Sequence, residues 1–415
     1  MPPQPEARIL LRVRLACGWL MLWAAAAMLA PLIAGDLPYR ADAGGGVWYP
    51  LFQPGKTDPV RPGEPALRHS LKKWEALPLR AAWWPPLPGI RKTYTRSLPP
   101  GSSSRLGGRT VWHGLGTDAA GHDLLAAMLH GARVSALTVL TAGGLILLIG
   151  VAAGALAGYA GDRRLSLSRR GVAAMLTAVP MCGFYAGYLR RFAWEDALAA
   201  RALVPELLIR TGLSAALLAG CALLARMLLR SPWWCRSVRM PVDSLLLRVL
   251  ELMQALPKLV LLFVIALAAG SADQSGYFLM LAAIALMSWD GVARLVRAET
   301  RRIMELPYIE AARALGLPPA RLWLRHVWPN ARASLLVVAV FAAAGILLLE
   351  SALSYLQVGG MQDGWGSLLT EARGRTADWR VAIFPGLAIC CSVLAFNTIG
   401  GHLRRRAAGM PGAPA

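Results

Sequence analysis

Residues 308–330 read YIEAARALGLPPARLWLRHVWPN, a polar, arginine-rich segment of helical character between two long apolar runs. Glu310, Ala311, Ala312 and Leu315 fall within little more than one helical turn, and the small alanines leave room for another protein surface to approach closely. Gly316 supplies the left-handed position that ends a helix, and Pro318-Pro319 prevents that helix from resuming. The spacing then predicts a second short helix from Pro319 to Trp328, stopped by Pro329. Two short helices joined at a glycine make a rigid knob suited to docking. The alternative, on spacing alone, is an ordinary amphipathic interfacial hairpin.

Composition places this knob in a membrane protein. Mean hydropathy is +0.47, 56% of residues are hydrophobic and only 16% are charged, a balance foreign to a soluble chain. The formal net charge of +21 is dispersed and gathers beside the ends of apolar runs. No zinc-finger spacing or aromatic–basic platform accompanies it, so nucleic acid is not an expected partner. Of the six cysteines, Cys17, Cys182, Cys221, Cys390 and Cys391 lie within apolar stretches and Cys235 in a basic loop. That distribution argues against disulfides and metal clusters.

A helix needs about 20 apolar residues to cross a bilayer. Such runs occur at 15–34, 136–160, 171–189, 207–229, 249–270, 276–296, 333–356 and 381–400, and predict an all-α polytopic membrane protein of eight spans. The first, preceded by Arg8, Arg12 and Arg14, reads as an uncleaved anchor; a cleaved signal peptide is the competing reading, because alanines and Gly35 close the run. Loop 161–170 carries four Arg against one Asp, loop 226–248 five Arg against one Asp, and segment 294–332 eight Arg against three Glu. The chain ends near Arg404-Arg405-Arg406. The alternate loops are neutral or acidic: 190–206 balances, 271–275 holds only Asp273, and 357–379 has three acids against two Arg. All these basic loops fall on one side, which predicts cytoplasmic termini. Segment 35–135 is basic yet external, since long loops translocate largely regardless of charge. In run 207–229, Arg210 and Arg226 leave 15 uncharged residues, so that crossing relies on both arginines snorkelling. With 171–189 it reads as an inserted hairpin. The expected divisions are 1–34 (tail and first span), 35–135 (large outer segment), 136–160 (core span), 161–239 (hairpin), 240–405 (remaining core, with a coupling loop at 300–330) and 406–415 (tail).

Several segments, taken in order, resemble the dipeptide/oligopeptide permease family of ABC importers on its C-type subunit side. Leu115-Gly116-Thr117-Asp118, continuing AAGHDLLAAMLHGARVS, resembles the family's Gly-Thr-Asp segment before its second span, and 150–161 (GVAAGALAGYAG) the glycine-rich end of that span. Residues 242–257 (VDSLLLRVLELMQALP) resemble the start of the next span, including Asp243, Arg248, Glu251 and Pro257. Residues 288–299 (SWDGVARLVRAE) lead into the knob, where Glu310-Ala311-Ala312 and Gly316 have the spacing of the loop through which such permeases grip their ATPase. Residues 349–359 (LESALSYLQVG), Trp365-Gly366 and 384–397 (FPGLAICCSVLAFN) complete a series covering about 112–161 and 240–405. Departures are His122 in place of a usual Arg, Asp290 in place of a usual Pro, Lys258 after Pro257, and a hairpin at 162–239 without counterpart. Val47-Trp48-Tyr49-Pro50 is similar to the branch importing larger or modified peptides.

The resemblance implies a type-I ABC importer permease core of six helices, one amino-terminal plus five, carrying the extra hairpin in a bacterial inner membrane. Implied partners are a homologous B-type permease, two ABC ATPase subunits, a periplasmic or lipoprotein substrate-binding protein, and membrane lipid. ATP and Mg would sit on the ATPases, with no cofactor or metal on this chain. Coupling then falls to Glu310, Ala311, Ala312 and Gly316, with Arg313 and Arg325 at the rim. On spacing alone, Glu310 is a helix charge paired with Arg313 or Arg302. The chain is not its own motor: in its only Gly-Lys-Thr, Gly55-Lys56-Thr57, the P-loop spacing needs glycine where Pro50 stands. Oligopeptides or dipeptides are the implied cargo, with nickel chelates and modified peptide antibiotics as alternatives. The rival class, kept open by the hairpin, is a membrane scaffold or sensor using an ABC ATPase for signalling.

Glu251, Lys258, Asp290 and Glu350 interrupt apolar runs. Ionisable groups there are costly in hydrocarbon and face a cavity or one another, which makes these four candidates for a polar translocation path. Glu251 and Lys258 stand seven apart, on one helical face with Pro257 between them. The competing readings pair Glu251 with Arg248 and put Asp290 and Glu350 near an interface. Gly150, Gly154 and Gly158 form a small-xxx-small face that permits close helix packing. His113, His122 and His130, with Asp118 and Asp123, match no metal-ligand spacing, and no catalytic residue is expected.

Overall fold

In hydrocarbon a backbone must satisfy its own polar groups, and the long apolar runs do so as helices. The computed structural model describes residues 5–34, 40–43, 46–48, 81–83, 87, 100–106, 109–118, 122–162, 166–182, 184–185, 203–228, 237–239, 241–269, 274–358, 364–373 and 378–407. Expectations for Tyr49-Pro50, Gly55-Lys56-Thr57, Cys235, Asp273 and most of loop 190–206 fall outside them. After α1 (Pro5–Ile33) come short antiparallel strands β1 (Arg40–Ala43), β2 (Gly46–Trp48) and β3 (Ala81–Trp83), in the order β2–β1–β3. A hairpin of β4 (Ser102–Leu106) and β5 (Arg109–His113) leads to α2 (Leu124–Ala160). Strands β6 (Ser166–Ser168) and β7 (Ser237–Arg239) pair across α3 (Arg169–Cys182) and α4 (Leu203–Leu228). Then follow α5 (Val242–Ala255), α6 (Lys258–Ala269), α7 (Gln274–Ser288), α8 (Asp290–Met304), α9 (Pro307–Ala314), α10 (Pro319–Leu322), a π turn at Trp323–Val327, α11 (Trp328–Tyr355), α12 (Trp365–Arg373) and α13 (Trp379–Ala407). The spans are helical as expected, and the small ladders are an addition to the all-α reading.

Four stretches are long and apolar enough to cross a membrane: Ile9–Ile33, Leu124–Ala160, Trp323–Tyr355 and Trp379–Ala407. Two more qualify when α5 and α6, or α7 and α8, are each counted together across a bend, giving four to six candidate spans among the described residues. Runs 249–270 and 276–296 are therefore broken helices. At the first break Pro257 has no N–H to donate and drives Leu256 out of helical geometry, to φ −90° and ψ 131°. The hairpin contributes only shorter apolar helices, Gly171–Cys182 and Leu208–Cys221. They pack on each other, with Cys182 Sγ donating to Ser214 O at 3.5 Å.

The chain divides into two compact units, Met1–Ile146 with Leu259–Ser288 and Leu336–Ala415, and Leu147–Lys258 with Trp289–Leu335. In the first, α1 lies along α13. Trp19 Nε1 donates to Ser392 Oγ at 3.0 Å, and the buried Trp23 ring sits 5.5 Å from Trp365 and edge-on to Phe396 at 5.9 Å. The acids of the Gly-Thr-Asp segment organise the start of α2. Asp123 caps it by accepting from Ala126 N–H at 2.9 Å and lies 2.5 Å from His113 Nδ1. Asp118 accepts from His122 N–H at 2.7 Å. In the second unit the end of α2 seats on α8 through glycines. A Cβ on Gly150 would stand 2.6 Å from Val292 Cβ, on Gly154 2.5 Å from Ala293 O, and on Gly158 2.7 Å from Thr300 Cβ.

A candidate docking elbow and the charge clusters

The elbow is built on a buried floor. Ile309 of α9 packs with Ile303, Met304, Leu322 and Val327, and Tyr159, Leu306, Ala312 and Trp323 close its edges. Pro307 opens α9 where a missing N–H costs nothing. The helix ends as the glycine demands. Gly316 takes φ +76°, its N–H donates to Arg313 O at 2.9 Å, and Leu317 N–H reaches Ala312 O at 3.3 Å. Beyond Pro319 the chain does not stop at Pro329. Trp328 N–H donates to Trp323 O, five residues back, and the helix runs on into α11. The wide turn absorbs the proline, whose absent N–H falls in the first turn of the new helix, and this corrects the predicted end of the second short helix.

With Ile309 turned inward, Glu310, Ala311, Ala314 and Leu315 form the outer ridge, Leu315 being 81% exposed. Gly316 and Arg325 are also exposed, whereas Ala312 is half-buried. Arg313 turns back, its Nη2 donating to Met304 O at 3.3 Å. Arg302 pairs with Glu299 at 2.9 Å, and among the described residues no ion pair engages Glu310.

A charge clamp lies in the same unit. Pro241 cannot cap α5 with its side chain, and Asp162 does so from a distance, accepting Ser244 N–H at 3.0 Å and Ser244 Oγ at 2.8 Å. Those bonds, the backbone one first, hold the Asp162 carboxyl below the usual range. The next carboxylate, Asp243, is buried and accepts from Arg297 Nε and Nη2 and from Arg301 Nη1, the last two at 2.6 and 2.7 Å. Sequence reading noted Asp243 and missed its partners. Their one signal was the spacing of Arg297 and Arg301, four apart on one face of α8.

Of the four candidate path residues, Lys258 and Asp290 come together. Lys258 Nζ donates to Asp290 Oδ1 at 3.0 Å, Gln254 Nε2 to Asp290 Oδ2 at 3.3 Å, and Arg294 stands 3.7 Å away. Glu251 is exposed and pairs with Arg248 at 2.9 Å. The break at Leu256-Pro257 removes the shared helical face expected of Glu251 and Lys258. In the other unit Glu350 is fully buried, its Oε2 accepting from Ser135 Oγ at 3.0 Å and from Ser351 Oγ at 3.4 Å.

Residues 212–408 match the family described as binding-protein-dependent transport system inner membrane component. A Brucella suis protein named for a peptide transport system permease is 38% identical over 167 residues, 39% of this chain and 54% of that protein. The oligopeptide transport system permease protein OppC of Haemophilus influenzae is 32% identical over 166 residues, covering 39% and 52%. The glutathione transport system permease protein GsiD of Shigella flexneri is 33% identical over 178 residues, covering 41% and 54%. The chain thus spans about half the length of the curated relatives it matches.

Proposed function

From the premise that residues 212–408 belong to the binding-protein-dependent transport system inner membrane component family, we propose that this chain is a membrane-spanning permease subunit of an ATP-driven peptide importer. It has no ATPase site of its own. Two ATPase subunits, a homologous second permease and an external binding protein complete the transporter, and ATP with Mg belongs to the ATPases. Both termini and the elbow face the cytoplasm, and the hairpin adds two crossings to a six-helix core. ATP-driven closure of the ATPases pulls on the elbow and switches the spans between outward and inward access. Path residues are drawn from Lys258, Asp290, Glu251 and Glu350.

One observation carries the docking assignment: a ridge of Glu310, Ala311, Ala314 and Leu315 stands exposed on a floor set by buried Ile309. Small residues flank one bare leucine and one carboxylate, a surface that fits a groove. Leu315→Asp changes a side chain 81% exposed and leaves that floor intact. We expect normal membrane levels, loss of ATPase subunits on co-purification by about tenfold or more, and labelled-peptide uptake at background. Gly316→Asp, which distorts the same corner, is expected to do likewise. Retention of the ATPases by Leu315→Asp would remove the docking assignment. Retained ATPases with no uptake of any peptide would favour the signalling reading.

A further inference from the structure

Where α1 begins and α13 ends, the two helices enclose a cleft of about 260 Å³. Ile9, Arg12 and Val13 line it from α1, at the spacing of one helical face. From α13 come Asn397, Thr398, Gly401, His402, Arg404 and Arg405, again one face. Three guanidinium groups and an imidazole thus line the cleft beside Ile9 and Val13, and no carboxylate is among the described lining residues. The negative pole at the carboxyl end of α13 is about half a charge against three full positive ones.

We propose that this cleft holds the phosphate of an anionic glycerophospholipid. Position argues for a lipid over a free phosphate. The apolar run of α1 starts at Leu15, less than one helical turn beyond Arg12, and that of α13 ends at residue 400, about one turn before Arg404, so the cleft lies at the level where hydrocarbon gives way to headgroups. Leu15 on α1 and Leu394 on α13 are each more than 60% exposed, offering acyl chains an apolar surface on the same helix pair. Guanidinium groups bind phosphate oxygens in pairs, which suits two arginines from one helix and one from the other. The pair is rigid enough to preform the cleft, because Trp19 and Trp23 lock α1 to α13 further along. The proposal does not rest on the docking assignment.

The test is native mass spectrometry of the full chain in mild detergent, titrated with phosphatidylglycerol, with phosphatidylcholine of the same acyl chains, and with inorganic phosphate. Phosphatidylglycerol should be retained at least about tenfold better than phosphatidylcholine, and the combined Arg12→Gln, Arg404→Gln and Arg405→Gln variant should lose that preference. Gly401→Leu should lose it too. It fills the cleft without changing charge, in a helix where a Cβ at 401 meets nothing within 4 Å. Arg14→Gln, outside the cleft, should keep it. Equal retention of the two lipids, survival of the preference in both cleft variants, or displacement of the lipid by an equal concentration of inorganic phosphate would each overturn the proposal.

Discussion

Gly154→Val is expected to destabilise this protein by about 3 kcal/mol, because the added atoms have nowhere to go. Position 154 faces backbone: the first carbon of any side chain would lie 2.5 Å from Ala293 O and 3.0 Å from Arg297 N. A flexible side chain could swing away, but a helix carbonyl cannot, so α2 and α8 must separate. Separation also exposes the contacts at Gly150 and Gly158, which is why one substitution acts on the whole seam. The few tenths of a kcal/mol that valine gains over glycine in helix propensity do not offset this. Gly144→Ala supplies the contrast. Gly144 lies on the same helix with no atom within 4 Å of its Cβ position, so the change should be neutral or stabilising by up to about 1 kcal/mol. Unfolding in mixed micelles of rising dodecyl sulfate fraction measures both. If the two variants unfold at the same fraction, the seam is wrongly placed.

Asp243→Ala is expected to cost a similar amount, about 3 kcal/mol, for an electrostatic reason. The carboxylate is 5% exposed and Arg297 is 17% exposed, so its removal leaves a mostly buried guanidinium without its counter-charge. Arg301, 46% exposed, can reach water and contributes less. The penalty comes from stranding the cation more than from losing the attraction. Replacing Arg297 and Arg301 by methionine as well as Asp243 by alanine should therefore recover much of the stability. A triple variant no more stable than the single one would contradict this account of the clamp.

How much could be read from the chain depended on how local each determinant was. The elbow was legible because its stop is local: Gly316 must go left-handed and Pro318-Pro319 follows at once. Pro329 misled because a proline near the start of a helix and one that stops a helix look alike in sequence. The π turn at Trp323–Val327 decides between them, and Val327 at its end joins the same buried cluster as Leu322, which no local pattern announces. Pro257 announced a weak point in a long apolar run. Whether the helix bends or breaks there depends on where Leu256 is held, and the break separates Glu251 from Lys258. Asp243 was visible as a residue, but its partners lie 54 and 58 positions away, beyond any periodicity. The buried setting of Glu350, bonded to Ser135 across 215 positions, is of the same kind.

The excursion between α2 and α5 leaves and rejoins its parent at a single doorway. Ser168 stands opposite Ser237, Ser166 opposite Arg239, and Asp162 is bonded to Ser244. Material threaded through such a doorway adds bulk without prying the frame apart, since both ends arrive already side by side. On that account residues 169–236 are expected to behave as a cartridge. A fluorescent protein, whose own ends also meet, should fit the slot with the chimera still reaching the membrane in normal yield; a chimera lost from the membrane fraction would mean the cartridge is part of the frame.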